Sequence, residues 1–331
     1  MKVVVDSAIP YLRGVLEPYF EVVYRAGEAF AASDVADADA LIVRTRTKCN
    51  ANLLQGSRVR LIATATIGFD HIDMDYCQKQ GIRVVTAQGC NAAGVLQWVA
   101  AAMALLAQKD GWSPSQKTLG IVGVGNVGSL VEKYARRWGF NVLCCDPPRQ
   151  QREGGDFVGF EELLRRSDIV TLHTPLDKTT FHMMDSAAIA MMSHNGVIIN
   201  ASRGEVADTQ ALLEAPQTLI LDVWEREPAI DAQLLEKALV ATPHIAGYSA
   251  QGKANASSMV VRAIAEVFNL PIEGWYPAEV EPVERQPIEW EQMCRTIGSY
   301  CDLKSQSDYL KANSREFESI RNNYHYRQEY F

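Results

Sequence analysis

Short apolar runs alternate with polar loops and helix-forming stretches along the first 270 residues. MKVVV, EVVYR, ALIVR, RLIAT and IRVVT read as strands, each closing on a polar or charged residue and each separated from the next by turn or helix signals. SAIPYLRGVLEPYF predicts a helix around Leu12 to Leu16. From Asn91 the stretch NAAGVLQWVAAAMALLAQ carries helix formers and a long apolar face with no internal proline, and GWSPSQ then turns the chain. A second series of runs follows: TLGIVGVG, NVLCC, IVTLHTPL, VIINASRG, LILDVW and LVATPH. The helical patterns of residues 126–138 and FEELLRRSD lie between them, and PPRQQREGG reads as a surface loop. Near-continuous apolar strands are those of a parallel sheet covered on both faces, and their alternation with helices predicts the α/β class with two such domains.

Beyond the second series, VVRAIAEVF is the apolar core of a helix over 251–270. GWYPAEVEPVERQPIEW is acidic and interrupted by proline, so it predicts a connection. The tail from Glu291 ends in Tyr324, Tyr326, Tyr330 and Phe331, which predicts packing against another surface, either a second subunit or the chain's own body.

Composition narrows the classes of partner. With 331 residues and 47% hydrophobic content the chain is long enough for two cores and leaves room for a smaller third unit. A net charge of −8 argues against non-specific binding to nucleic acid or to an anionic membrane, while leaving room for a local basic pocket that holds an anionic metabolite. Seven cysteines without a regular framework, and an opening MKVVVDS unlike a signal peptide, make a reducing cytosol the expected home. AAMALLAQ is too short an apolar run to span a membrane.

The chemistry concentrates in Lys117 to Asp146, which reads as strand, glycine turn, helix, strand and terminal acid. Gly123, Gly125 and Gly128 have the G-x-G-x-x-G spacing: the first for the tight turn, the second for backbone approach to a pyrophosphate, the third for close helix–strand packing. The pyrophosphate sits over the free N–H groups at the start of the helix, at Asn126, Val127 and Gly128. Asp146 accepts from the adenosine ribose hydroxyls and favours NAD over NADP, although Arg149 lies close by.

Polar residues at the ends of the other strands supply a second constellation. In an open parallel sheet, ligands are handled at the C-terminal strand ends. Thr174 and Pro175 mark a loop on the nicotinamide side of the cofactor. Arg203, Glu227 and His244 each follow an apolar strand. Arg203 can clamp a carboxylate with its forked donors, His244 can move a proton near neutral pH, and Glu227 can fix the imidazole tautomer. Glu225, close to Glu227, is a competing acid. In the first series Thr45, Thr66 and Gly68 follow strands, and Arg44, Arg46 and Lys48 form either an anion site or a solvated loop edge. His173, His182, His194 and His244 do not have the compact spacing of metal ligands, and no metal is expected.

KTLGIVGVGNVG, LHTPL, NASRGEVAD, LDVWEREP and TPHIAG resemble the D-isomer-specific 2-hydroxyacid dehydrogenases. The resemblance implies that Arg203, Glu227 and His244 are the catalytic residues, with Glu227 favoured over Glu225 because it directly precedes Pro228. It also implies an NAD domain over 93–250 inserted in a flavodoxin-like substrate domain made of 1–92 and 251–270. VDSAIP, VRTRTK, ATATIGFDHIDMD, QGCNAAGV, CDPPR, TPHIAGYSAQGKA and IRNNYHYRQEYF are similar to a branch of the family that oxidises a phosphorylated 2-hydroxy acid. That similarity implies substrate contacts at Thr45, Thr66 and Tyr248, NAD contacts at Asp146, Thr174, Asp222 and Gly247, and a small α+β dimerisation domain over 271–331. The same similarity implies a homodimer, and leaves open a 2-oxo acid that recycles bound cofactor. The chain departs from the branch at Ser7 and Ala8, at Thr45 where serine is common, and in the short LLEAPQTLILDVW. Phosphoglycerate dehydrogenase and glyoxylate/hydroxypyruvate reductase use the same machinery and stay open, as does an NAD-sensing scaffold.

Overall fold

A computed structural model of the protein describes residues 1–284 and 286–331. The chain divides into two compact units, 1–91 with 250–282, and 92–249 with 283–331.

The first unit is built on five parallel strands, β1 (Lys2–Asp6), β2 (Glu21–Arg25), β3 (Ala40–Val43), β4 (Leu61–Thr64) and β5 (Arg83–Thr86), in the order β2-β1-β3-β4-β5. Every residue of β3 and β4 is buried, as their unbroken apolar runs require. Helix Ala250–Phe268 packs on β4 and β5, with Val260, Val261 and Ile264 in one core with Val3, Val5, Ile42 and Leu61. The helix predicted around Leu12 to Leu16 is absent; the segment is a succession of turns. Gly14, at φ +84°, and Tyr11, at φ +66°, leave helical space, yet Leu12 and Leu16 still plug the core. The apolar spacing there serves burial and not helical periodicity.

The second unit holds six parallel strands, β6 (Thr118–Val122), β7 (Asn141–Cys145), β8 (Ile169–Leu172), β9 (Val197–Asn200), β10 (Thr218–Leu221) and β11 (Val240–Ala241), in the order β11-β10-β9-β8-β6-β7. The order reverses between β6 and β8, so the crevice expected for a ligand opens at the C-terminal ends of those strands. Helix Ala92–Asp110 is long and apolar enough to cross a membrane, but it is the core helix of this unit, buried from Ala92 through Met103 and packed on helix Asn126–Trp138.

PPRQQREGG is not a loop. Pro147–Glu153 is a helix whose two prolines occupy the first turn, where a missing N–H costs nothing, and Asp146 caps it by accepting from the amide of Arg149. The short segment before β10 closes without strain: helix Thr209–Glu214 runs into β10 through residues 215–217. The ammonium of Lys237 donates to the carbonyls of Leu213 at 2.7 Å and Ala215 at 2.6 Å, satisfying groups that a longer glycine turn would otherwise cover.

The connection over 274–290 contains no helix or strand among its described residues before Trp290; Arg285 within it lies outside the described residues. Helices Trp290–Thr296, Leu303–Ala312 and Phe317–Asn322 follow. They belong to the second unit, where the resemblance sets a separate domain. The terminal aromatics lie against the chain's own body: Phe331 is buried beside Tyr134 and Trp138, and Tyr330 stacks on Tyr300 at 3.9 Å. From Arg327 to Phe331 burial alternates as along a strand, and a bridge joins Ser249 to Arg327.

Candidate active site

The turn after β6 has the shape its glycines predict. Gly123 has φ +84°, and a Cβ there would lie 2.8 Å from the carbonyl carbon of His173. A Cβ on Gly128 would lie 2.0 Å from the carbonyl oxygen of Gly123, so helix and strand touch at that point. A Cβ on Gly125 would meet nothing within 4 Å, which leaves this side of the turn open for a ligand's approach. Helix Asn126–Trp138 begins there with no side-chain cap, and the amides of Asn126, Val127 and Gly128 form its first turn. Asp146 is held by the amides of Val124 at 2.8 Å and Arg149 at 2.9 Å. The guanidinium of Arg149 folds onto the same turn, donating to the carbonyl of Val124 and the hydroxyl of Ser129.

Just beyond β8 the hydroxyl of Thr174 is buried and has no hydrogen-bond partner among the described residues. An orphaned polar atom beside an open glycine turn fits a bound polar group at this position. His173 does not compete as a base. Burial pushes its imidazole down to about 3, and it bonds to the Thr171 hydroxyl at 2.9 Å.

Asn200 at the end of β9 shapes the next turn. Its amide donates to the carbonyl of Arg203 and its carbonyl accepts from the amide and hydroxyl of Ser202. Gly204 lets that turn press against the end of β10, since a Cβ there would lie 2.0 Å from the carbonyl carbon of Trp224. Arg203 is half-buried, gives one donor to the carbonyl of Ser202, and has no carboxylate partner among the described residues.

After β10, Glu227 folds back so that one carboxylate oxygen accepts from the Trp224 amide at 3.0 Å and the other meets Nδ1 of His244 at 2.8 Å. Nε2 of His244 has no partner among the described residues and the ring is 36% exposed, so this nitrogen is available to a reacting hydroxyl. Glu225 is committed elsewhere, to His182 at 2.6 Å and to the amide of Thr209. His244 itself sits at φ +59°, a conformation an L-residue adopts only when its surroundings hold it there. The holding group is Asp222. Its carbonyl accepts from the His244 amide at 2.7 Å, and its buried carboxyl accepts from the Thr242 hydroxyl, at 2.5 Å, and from the amides of Ile245 and Ala246. Burial pushes the Asp222 carboxyl above the usual carboxylate range.

The remaining residues singled out in the sequence belong to both units. Gly247 packs its carbonyl against Gly94, and Tyr248 places its ring between those of Tyr324 and Tyr326. In the first unit Thr45 is exposed after β3, next to Arg44, which pairs with Asp6 at 3.0 Å. The hydroxyl of Thr66 meets that of Thr64 at 2.6 Å and donates to the carbonyl of Gly68. Among the described residues no cluster of His, Cys, Asp and Glu is placed to hold a metal ion.

Two arginines of the tail were not singled out from the sequence. Arg321 donates to the same Glu227 oxygen that meets His244, at 3.3 Å. Arg327 is buried and donates to the carbonyls of Gly94, Ile245, Ala246 and Tyr248. Only the segment IRNNYHYRQEYF, by its resemblance to the family branch, hinted that this stretch matters.

A dinucleotide turn at the switch point of a parallel sheet, with an arginine and a glutamate-held histidine at the ends of neighbouring strands, defines an NAD-dependent 2-hydroxyacid dehydrogenase. Residues 94–246 match the model of the D-isomer specific 2-hydroxyacid dehydrogenase NAD binding domain. Within that group the chain belongs to the erythronate-4-phosphate dehydrogenase family. It is 44% identical over 342 residues to the erythronate-4-phosphate dehydrogenase of Bacteroides fragilis, covering 99% of this chain and 97% of that one. To the Cronobacter sakazakii enzyme of the same name it is 38% identical, covering 100% and 92%. Among solved structures it is similar to the D-lactate dehydrogenase of Aquifex aeolicus complexed with NAD and lactic acid. That match has a TM-score of 0.67 and 26% identity, over 83% of this chain and 98% of that one. The NAD-bound 3-phosphoglycerate dehydrogenase of Entamoeba histolytica matches with a TM-score of 0.70 and 26% identity, over 83% and 98%.

Proposed function

We propose that the protein oxidises 4-phospho-D-erythronate to (R)-3-hydroxy-2-oxo-4-phosphobutanoate, a step in the biosynthesis of pyridoxal 5′-phosphate. The observation that carries the reading is kinship along the whole chain, 44% identity over 99% of its residues, tail included. The bonded Glu227 and His244 supply the chemistry.

NAD, when bound, accepts the hydride that leaves the carbinol carbon. Nε2 of His244 takes the hydroxyl proton as the carbon–oxygen double bond forms, and Glu227 holds the imidazole in the tautomer that leaves Nε2 unprotonated beforehand. Arg203 receives the substrate carboxylate in a two-pronged contact. Thr45, Thr66, Gly68 and Tyr248 are the further substrate contacts of this reading. Gly123, Gly125, Asn126, Val127, Gly128, Asp146, Thr174, Asp222 and Gly247 hold the cofactor. In reduction the same imidazole returns the proton. The protein works in the cytosol as a homodimer, and a 2-oxo acid can serve as acceptor where reduced cofactor stays bound.

Cofactor-linked rates with 4-phospho-D-erythronate, 3-phosphoglycerate and D-glycerate, each with and without a 2-oxo acid, test the substrate. A clear preference for the first is expected. Preference for another acid would reassign the substrate within the same chemistry, and no turnover on any of them would favour an NAD-sensing scaffold.

Asp146 sets cofactor choice in this reading, because a carboxylate repels a 2′-phosphate. Asp146→Ser retains an oxygen that can cap helix Pro147–Glu153 and removes the charge. It is expected to lower the ratio of kcat/KM for NAD over NADP by about tenfold or more. An unchanged ratio would assign the discrimination to Arg149.

A further inference from the structure

Helix Phe317–Asn322 is anchored on the element that carries Glu227. Phe317 is fully buried in the cluster that contains Leu221 and Trp224, and Ile320 packs against that cluster. This seats Arg321 over the Glu227 carboxylate. Its Nη1 lies 3.3 Å from the oxygen that also meets Nδ1 of His244, while its Nη2 lies 2.8 Å from Glu318. Arg321 is 23% exposed and Glu227 is 16% exposed, so the pair is only partly screened by water.

We propose that Arg321 is a positioning residue of the proton relay: it shares one oxygen of Glu227 with His244, fixes that carboxylate, and opposes build-up of the imidazolium. The inference rests on the assignment of Glu227 and His244 as the relay. A carboxylate held only by the Trp224 amide could rotate about its last torsion and present either oxygen to the ring. A second donor on the oxygen that faces His244 removes that freedom. The charge matters as well. During oxidation His244 becomes cationic, and Arg321 on the same acceptor favours passing the proton onward. Charged groups that act on the pair or on its neighbours include Asp222, which faces His244, Glu318 on the arginine's own helix, and Arg327 beyond Asp222.

The test compares Arg321→Gln and Arg321→Lys with the unaltered protein, using two readouts. Histidine-labelled protein titrated by NMR reports His244 directly and needs no turnover. In Arg321→Gln its midpoint is expected to move upward by roughly half a pH unit or more, and Arg321→Lys to stay near the original position. In steady-state kinetics, kcat of Arg321→Gln is expected to fall by about tenfold with little change in KM, and the acidic limb of the kcat/KM profile to move upward with the NMR midpoint. A His244 midpoint in Arg321→Gln that coincides with the unaltered protein would overturn the proposal, even if thermal stability fell, since a purely structural arginine would change only the latter. A shifted midpoint in a protein without turnover on any 2-hydroxy acid would uphold the coupling and reject the enzymatic reading.

Discussion

Replacing His244 by alanine is expected to lower kcat for hydroxy-acid oxidation by about 10²- to 10⁴-fold. The affinity for NAD, measured by protein fluorescence, should change little, since the glycine turn, Asp146 and Thr174 are untouched. The reason is geometric. Among the described residues His244 is the only histidine bonded to Glu227, and Glu225 is bonded to His182. No second imidazole stands ready, because burial keeps His173 neutral. The double variant with Glu227→Gln should be hardly slower than His244→Ala alone, because a group that acts through the imidazole has nothing to act on once it is gone. Additive losses would show that Glu227 has a separate role, and a loss of less than tenfold would remove His244 from the proton transfer.

Arg327→Ala is expected to destabilise the fold by about 3 kcal/mol, read as a lower urea midpoint with an unchanged slope. The guanidinium is buried and donates to the carbonyls of Gly94, Ile245, Ala246 and Tyr248. Truncation removes at once the buried donor shared by four carbonyls, of which Ile245 still accepts from the Tyr248 amide. A neighbouring contact adds to the effect: Glu329, two residues on, accepts from the Ser249 hydroxyl at 2.6 Å. The loop these residues grip runs directly from His244, so activity should fall along with stability. Arg327→Lys cannot reproduce a planar fork and should recover only part of the loss. A midpoint equal to that of the unaltered protein would show that the carbonyls find other partners.

The parallel strands were legible because strands buried on both faces leave an unbroken apolar signature, as ALIV and VIIN do. The glycine turn was legible because Gly123 and Gly128 stand where a Cβ would collide with backbone, while Gly125 borders open space. The rule that chemistry lies at C-terminal strand ends pointed to Arg203, Glu227 and His244, and the structure places all three in the second unit with Glu227 on His244. Two local readings failed for opposite reasons. Two prolines suggested a loop at Pro147 where they suit the first turn of a helix, and the leucine spacing around Gly14 suggested a helix where the chain only turns. The internal bonds of Asp222 and the reach of Arg321 to Glu227 carry no periodic signal. They depend on how distant elements pack, which no window of sequence contains.

The separation of Arg321 from Glu227, 94 positions along the chain, also orders events during synthesis. At about 5–20 residues per second, the glutamate is made roughly 5 to 20 seconds before the arginine that shares its oxygen. Throughout that interval the nascent sheet can form and its nucleotide crevice can take shape, while the loop after His244 has neither Arg327 nor Glu329 to grip it. The crevice at the strand ends can therefore take shape before the residues that grip the loop after His244 have been made.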